Sequence, residues 1–225
     1  MAYHHGNLKQ ALLERAAEVI AERGLEGLSL RGLARDLGVS HGAPRAHFAD
    51  RGALVAELAK EGFRRAIETM EAGAEAAGPD PIAKYRALGR SYVRFACEEP
   101  AFFQALQHPD VRRSRDGDLD AAHAAWTETV RRGARAAQAA GWHPEADLDA
   151  LVALSLAGAT GAAQLAVNQR LGPSWEIGDF ETTMDAMFDL LIHRGRISAP
   201  ARHVTPPPQR DRRLRTRRAR SGANG

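Results

Sequence analysis

Apolar residues near the start of the chain recur every three or four positions, which is the period of an amphipathic helix. This pattern predicts a helix over residues 7–23, with Asn7 as its N-cap and Gly24 as its stop. No segment shows the alternation of a β-strand, so we expect an all-α fold. The same period predicts further helices, most of which begin with a capping residue or a proline. They cover residues 30–37, 40–48, 51–75, 81–98, 100–107, 119–140, 146–170 and 179–194.

Changes in pattern and composition divide the chain into three parts. Residues 1–50 hold closely spaced short helices and are expected to form an N-terminal three-helix domain. Residues 51–198 are predicted to form a larger helical domain, whose first helix, about 51–75, connects the two. Residues 199–225 contain three consecutive prolines and an arginine-rich end with almost nothing apolar to bury, which predicts a disordered basic tail.

Two of the short helices lie close enough together to form a helix-turn-helix. Gly38 supplies the tight turn between them, and Ala34 is small where the second helix must cross closely. Ser29 and Ser40 are the expected N-caps of these two helices, and Asp50 is the expected N-cap of helix 51–75. The apolar residues that point to one small core are Leu30, Leu33, Leu37, Val39 and Phe48.

This geometry suits the major groove of DNA, which a recognition helix enters with its N-terminal residues against the base edges. An N-terminus capped by Ser40 also exposes backbone N–H groups to a phosphate. Arg45 lies one turn after His41 on the same face, and neighbouring basic residues flank it. The residues expected to contact DNA are therefore Arg31, Ser40, His41, Gly42, Ala43, Arg45, His47 and Arg51.

Residues 3–63 resemble the N-terminal domain of the TetR/AcrR family of transcriptional regulators. The resemblance rests on the lead-in at residues 3–8 and on the stretch from Leu28 to Leu54, which is similar to that family's helix-turn-helix and the start of its fourth helix. It implies an all-α homodimer that binds a pseudo-palindromic operator, usually as a repressor, and is released by a small molecule in the C-terminal domain. Residues 51–198 are then the ligand-sensing and dimerisation domain.

The sequence also departs from the family pattern. Residues 91–103 resemble members with a WHG-type C-terminal domain, but Leu156 and Thr160-Gly161 stand where that signature has Trp and His-Gly. Arg45 replaces the usual aromatic residue, and arginine can hold a phosphate or bond a guanine edge bidentately. Pro44 removes an early helix hydrogen bond, so we expect the recognition helix to begin with a tight, irregular turn.

Aromatic residues of the second domain are candidates for a ligand pocket, although aromatic residues at helical spacing more often pack in the core. His108 and His123 are candidates for polar contacts. Helices 146–170 and 179–194 are expected to pair with their copies as a four-helix bundle, and an effector is expected to move helix 51–75. The aromatic pocket candidates are Phe95, Phe102, Phe103 and Trp126.

Charge and composition narrow the classes of partner. Residues 210–225 carry a net charge of +6, whereas residues 66–209 carry −5, so nucleic acid is not expected along the whole chain.

The single cysteine, Cys97, fits a reducing cytoplasm. The N-terminal residues do not form a signal peptide pattern, and stretch 148–167 is too interrupted by polar and small residues for a convincing membrane span.

Other functional classes find less support in the sequence. His4, His5, His41 and His47 lack the Cys or carboxylate partners of a metal site, and no metal or cofactor is expected. No catalytic triad order or glycine-rich phosphate loop is present, so an enzyme is not expected. A ligand-independent architectural DNA-binding protein remains the main alternative, and it would share the helix-turn-helix but need no cavity.

Overall fold

The computed structural model describes residues 8–109, 111, 116–168, 182 and 186–190. Within these ranges the regular structure is entirely helical, which confirms the all-α prediction. Two 3₁₀ turns, Leu25–Gly27 and Ala43–Ala46, flank the second helix. The α-helices are α1 (Leu8–Arg23), α2 (Leu30–Asp36), α3 (Arg51–Ala76), α4 (Pro81–Glu98), α5 (Pro100–Gln107), α6 (Gly117–Ala139) and α7 (Leu148–Val167).

Helix boundaries follow the predicted capping residues closely. The side chains of Ser29 and Asp50 accept hydrogen bonds from the third backbone N–H that follows, at 3.1 and 2.8 Å, as predicted. Two predicted starts are wrong by two residues, because Asp116 caps α6 and Asp147 caps α7. Asn7 and most of the predicted helix 179–194 lie outside the described residues.

Helix α3 is the central element of the molecule. It packs against α4, α5 and α6, while α7 covers the other side of α4 and α6. The crossing of α3 and α4 is so close that a Cβ at Gly73 would lie 1.9 Å from Oγ of Ser91, which only glycine avoids. One continuous apolar cluster runs from Leu12 in α1 to Phe188, so the short N-terminal helices and the larger helical body share a core.

Helix α7 differs from the others because its outward face is also apolar. It is the one helix among the described residues that is long and apolar enough to cross a membrane by length and composition, with a mean hydropathy of 1.7. One side packs against α4 and α6. On the other side, Leu154 is 53% exposed. This exposed apolar residue distinguishes α7 from helices α1 to α6.

Candidate nucleic-acid interface and internal cavities

The turn between α2 and the following segment is built from local signals. Gly38 has a φ of +67°, the left-handed conformation that a β-carbon disfavours. The backbone N–H of Val39 then reaches back to the carbonyl of Ala34 at 3.0 Å, which satisfies the end of the helix. Leu33 and Ala34 are buried against α1, so the turn projects the next residues, Ser40 to His47, away from a fixed base.

Residues 40–47, hereafter the recognition segment, form a turn and a short 3₁₀ helix rather than the predicted α-helix. The N–H groups of Ala43 and Arg45 bond the carbonyls of Ser40 and Gly42, three residues back, at 3.0 and 3.1 Å. The prediction that the Ser40 side chain caps a helix is wrong, since the 3₁₀ helix begins after Gly42 without a side-chain cap. The irregular start expected from Pro44 is confirmed.

Pro44 also has a packing role that the sequence did not reveal. It is fully buried together with Phe48, and the backbone N–H of Phe48 bonds the Pro44 carbonyl at 2.9 Å. The segment contacts both α1 and α2. Its apolar residues therefore anchor it, and its polar residues, Ser40, His41, Arg45 and His47, remain exposed.

The structure brings five of the eight predicted DNA-contacting residues to one surface groove. Ser29, Asp50 and Ala49 lie beside them in the same groove, and sequence reasoning did not single these residues out for contact. Ser40 and His47 are exposed next to the groove, and Ala43 is half-buried. The five predicted residues that line the groove are Arg31, His41, Gly42, Arg45 and Arg51.

The three arginines of this groove differ in their partners. Arg51 donates a hydrogen bond to the carbonyl of Leu25 at 2.7 Å and lies 3.7 Å from Glu26, so it ties α3 to the first 3₁₀ turn. Arg31 and Arg45 are exposed and form no ion pair with the residues that the structure describes. These two guanidinium groups are therefore available to an anionic partner.

A separate ion-pair network fixes α1 against α2. Arg15 of α1 donates to the Asp36 carboxylate of α2 through two nitrogens, at 3.0 and 3.1 Å, and also pairs with Glu18 at 2.7 Å. The hydrogen bonds from Arg15 hold the pKa of Asp36 below its ordinary value. This bidentate contact sets the relative position of the two helices that carry the recognition segment.

Two adjacent cavities are formed between the helices of the body, and the larger one is partly open to solvent. The larger, hereafter the outer cavity, has a volume of about 620 Å³, within the range of small-molecule sites. The smaller, hereafter the inner cavity, has a volume of about 40 Å³. Both are bounded by Tyr92, Trp126 and Leu156. The other residues of the outer cavity are Phe63, Leu106, Gln107, Val111, Leu119, Asp120, His123, Ala157 and Thr160.

The predicted pocket residues divide between cavity and core. Trp126 and His123 line the outer cavity, and their rings lie 5.9 Å apart. Phe95, Phe102 and Phe103 are buried in the packed core and line neither cavity. His108 also lines neither of them.

Sequence reasoning missed Tyr92, which lines both cavities. Burial raises the pKa of Tyr92 to about 12, although hydrogen bonds to Thr160 and Gln107 oppose this shift. The three residues come from α4, α7 and α5, so no local pattern connects them. The Tyr92 hydroxyl therefore links α4, α5 and α7 beside the cavities.

Two protein-family models match the chain. The family model described as "Bacterial regulatory proteins, tetR family" matches residues 12–58, and "Tetracyclin repressor-like, C-terminal domain" matches residues 85–194. The chain belongs to the TetR family of transcriptional regulators. It is therefore a DNA-binding transcriptional regulator, and proteins of this family are generally not enzymes.

Solved structures agree with this assignment. A protein of unknown function from Rhodococcus sp. RHA1 is 33% identical, and the match covers 86% of this chain and all of that one with a TM-score of 0.69. The TetR family regulator PfmR from Thermus thermophilus is 22% identical over 80% and 96% of the two chains, with a TM-score of 0.61. FadR, a fatty acid degradation regulator from Bacillus halodurans, is 13% identical over 86% and 99%, with a TM-score of 0.69. These last two show the shared fold. No curated protein matches the chain.

A line of ion pairs connects α1 to α3 and to the start of α6. Lys9 of α1 pairs with Glu57 of α3 at 2.7 Å, Glu57 also pairs with Lys60, and Lys60 pairs with Asp116 at 3.1 Å. Burial alone would lower the pKa of Lys60, but its hydrogen bonds to Glu57 and Asp116 raise it above the ordinary value. Asp116 caps α6, whose first turns line the outer cavity through Leu119 and Asp120. The line of charges thus runs from α1 to the cavity wall.

Proposed function

We propose that this regulator is a repressor that leaves its operator when a small molecule binds the outer cavity. The observation that carries the proposal is the pairing of an exposed groove, which holds two arginines without a described ion pair, with a 620 Å³ cavity in the same continuous core. We propose residues 1–50 as the DNA-binding head, 51–198 as the sensing and dimerisation domain, and 199–225 as a basic tail. The cytoplasm is the proposed location.

Within the head, the proposed DNA contacts are the exposed groups of the recognition segment and their neighbours. His41, Gly42 and Ala43 are placed toward base edges, and Arg45 toward a guanine edge or a phosphate. Arg31, His47 and Arg51 flank this face and are proposed to hold phosphates, and Ser40 is placed with the residues that approach the base edges. Arg51 would bind through nitrogen atoms other than the one that bonds the Leu25 carbonyl.

Dimerisation is proposed through α7, with helix 179–194 as the second element of a four-helix bundle. Exposed residues of α7 form one stripe at helical spacing, and a Cβ at Gly161 would meet nothing within 4 Å. Pairing of two such stripes would bury the apolar face and space two heads about one DNA turn apart, roughly 34–36 Å. The stripe consists of Ala153, Leu154, Ala157, Gly161 and Gln164.

Effector release is proposed to act through α3. This helix begins directly after the recognition segment and contributes Phe63 to the outer cavity, so a change in the cavity wall is carried to the head by one rigid element. The ion pairs from Asp116 to Lys9 offer a second connection. An effector then weakens operator binding by favouring a head spacing that no longer fits successive major grooves.

Selection of bound DNA from a random pool tests the first part of this proposal. We expect a pseudo-palindromic sequence with half-sites about one turn apart. Arg45→Ala is expected to weaken binding to that sequence by about 1–3 kcal/mol if Arg45 bonds a base. Arg132→Ala, an exposed arginine of α6 paired with Glu71, serves as the control and leaves binding unchanged.

Two outcomes would contradict the proposal. A pool that yields no enriched sequence at modest ionic strength would rule out specific recognition. A palindrome whose affinity stays constant across a panel of cellular metabolites would favour the architectural alternative over effector release. Equal losses for Arg45→Ala on all sequences would move Arg45 from the bases to the phosphate backbone.

A further inference from the structure

A second surface recess lies in the head, beside the groove proposed to contact DNA. It has a volume of about 270 Å³ and is formed by the end of α1, the first 3₁₀ turn and α2. Ser29, Arg31 and His41 line both the recess and the groove, so a duplex at the groove would also adjoin the recess. This surface, hereafter the basic recess, is bounded by Arg23, Arg31, Arg35, Asp36 and His41 together with small and apolar residues.

Positive charge dominates the basic recess. Its described lining holds three arginines and one carboxylate, that of Asp36. Arg15, which is not part of this lining, donates to the Asp36 carboxylate through two nitrogens at 3.0 and 3.1 Å, so the negative charge is already balanced from α1. Three guanidinium groups around one recess repel one another, and an anion among them would remove this repulsion.

The arginines of the basic recess keep most of their N–H donors exposed to solvent. Arg35 contacts Asp36 through one nitrogen at 3.3 Å, and its side chain is 72% exposed. Arg23 lies 3.5 Å from Glu22 and is 59% exposed, whereas Arg31 forms no ion pair with the residues that the structure describes. A guanidinium group carries five N–H donors, so each of these side chains can bind an oxyanion and keep its present contact.

The openness of this surface favours a long anion over a small one. Arg23, Arg31, Arg35 and His41 are all exposed, so a small anion would stay hydrated here and gain little from the ion pairs. A DNA duplex carries one negative charge per about 1.7 Å of its axis, so a backbone that leaves the groove continues past the recess.

We propose that the basic recess binds a phosphate of the DNA backbone through Arg23 and Arg35, two residues that the sequence did not single out for DNA contact. Arg31 lines both surfaces and joins them into one DNA-facing strip. This inference rests on the proposed function, because it extends the DNA surface of the same head. Such a contact fixes the register of the head on the duplex and reads no base.

The salt dependence of DNA binding tests this site on the full chain. Arg23→Gln and Arg35→Gln each remove one charge, and each is expected to reduce the slope of log affinity against log salt concentration by about 1. The slope is measured with a duplex of arbitrary sequence, so no operator is needed. On a selected operator, each variant is expected to lose affinity by the same factor as on arbitrary duplex, because a phosphate carries no sequence information.

Two control variants separate a phosphate contact from other effects of the substitutions. Arg132→Gln removes the same charge from a 62% exposed arginine of α6 and is expected to keep the slope of the parent protein. Arg35→Lys keeps the charge but not the planar guanidinium group, and it is also expected to keep that slope. A partly unfolded variant loses affinity by one factor at every salt concentration, so its slope still reports the phosphate contact.

A neutral backbone group locates the contact. Methylphosphonate is placed at one position after another along the selected operator. We expect one position in each half-site at which this group weakens binding of the parent protein but not of Arg35→Gln. Inorganic phosphate, compared with chloride at equal ionic strength, is expected to release DNA from the parent protein no better than from Arg35→Gln.

Several results would overturn the inference. They are an unchanged salt slope in Arg23→Gln or Arg35→Gln, an equal fall of the slope in Arg132→Gln, and methylphosphonate effects in Arg35→Gln that match the parent at every position. Release of DNA by inorganic phosphate from the parent protein alone would also overturn it, since the recess would then be a site for a free anion. None of these results affects selection of an operator from the random pool. Failure of that selection, with slopes that fall as expected, would instead overturn the regulatory proposal and leave the recess as a site for DNA of any sequence.

Discussion

Arginine side chains behave differently in the head groove and along the middle of α3. In the groove, Arg31 and Arg45 are exposed without a described ion pair. On α3, Arg65 donates to Glu61 and Glu99 at 2.7 and 2.9 Å and lies 4.1 Å above the ring of Phe102. An arginine whose donors are occupied stabilises the fold, whereas an arginine whose donors are free is available to a partner.

The recognition segment and the outer cavity also differ in how their functional residues are held in place. The recognition segment is held by two buried residues, Pro44 and Phe48, that are close in sequence to the exposed groups they position. The outer cavity is assembled from α3, α4, α5, α6 and α7, with neighbours far apart in the chain. The head is therefore sensitive to single local changes, whereas the cavity depends on the packing of the whole body.

The largest expected effect comes from the support of the recognition segment. Phe48→Ala is expected to lower the free energy of unfolding by about 3–5 kcal/mol, because it empties a fully buried site. Phe103→Ala makes the same change in the helical body, where Phe103 is 0% exposed. Denaturant unfolding followed by circular dichroism measures both.

The shapes of these two unfolding curves show whether the head and the helical body unfold together. Since one apolar cluster includes Phe48 and Phe103, we expect a single cooperative transition in both variants. Two separate transitions in Phe48→Ala, the first accompanied by loss of operator binding, would mean that the head unfolds by itself. The two regions would then be energetically independent.

Local signals explain how much of the head could be predicted. Ser29, Gly38 and Asp50 act through their immediate neighbours, and the structure has their caps and turn where the sequence indicates them. The burial of Pro44 could not be predicted, because it depends on how the segment meets α1 and α2. The proline signalled an irregular backbone but not a packing role.

The helical body could be predicted in its elements but not in its site. The predicted start at 119 is two residues late, since Asp116, Asp118 and Asp120 are equally good caps by type. The predicted start at 146 is two residues early, because Asp147 caps α7. Aromatic type alone selected Phe95 and Phe103 as pocket candidates, although both are core residues. The contact of Tyr92 with Thr160 and Gln107 depends on three helices meeting, for which one sequence holds no local signal.

The next largest effect on stability is expected at Gly38, in the turn that follows α2. Gly38→Ala is expected to lower the free energy of unfolding by about 1–2 kcal/mol, because a β-carbon is strained at a φ of +67°. Gly42→Ala is the matched control, with a φ of −84° and no atom within 4 Å of the added Cβ. We expect Gly42→Ala to leave stability unchanged. Equal losses would show that backbone strain is not what Gly38 relieves.

Acid titration tests the paired charges of α3. Hydrogen bonds from Arg64, and then from Arg65, lower the pKa of Glu61 to about 2 from an ordinary 4.5, although partial burial opposes this. A lowered folded-state pKa stabilises the protein above the unfolded-state value, and this contribution is lost as the pH falls from about 4.5 to 2.

Glu61→Gln is therefore expected to show a shallower loss of stability than the parent protein between pH 4.5 and 2. Glu14→Gln, which changes an exposed carboxylate of α1, serves as the control and is expected to follow the parent curve. Urea unfolding at several pH values measures the slopes. Parallel curves for Glu61→Gln and the parent would mean that these ion pairs do not contribute to folding.

The smallest expected effect is at the ion pair between Lys9 of α1 and Glu57 of α3, where the head meets the helical body. A double-mutant cycle with Lys9→Met and Glu57→Gln is expected to give a coupling energy of about 0.2–1 kcal/mol, since Lys9 is half exposed. The Arg132–Glu71 pair, exposed on both sides, is the control and is expected at the lower end of that range.

Burial would raise the pKa of Glu57, but hydrogen bonds to Lys60 and Lys9 lower it below 4.5. The coupling should therefore persist at neutral pH and disappear as the pH falls through that lowered pKa. If this coupling is absent at neutral pH and low salt, the cavity and the head would be connected through α3 and through the packing of α1 against α5, without a contribution from this ion pair.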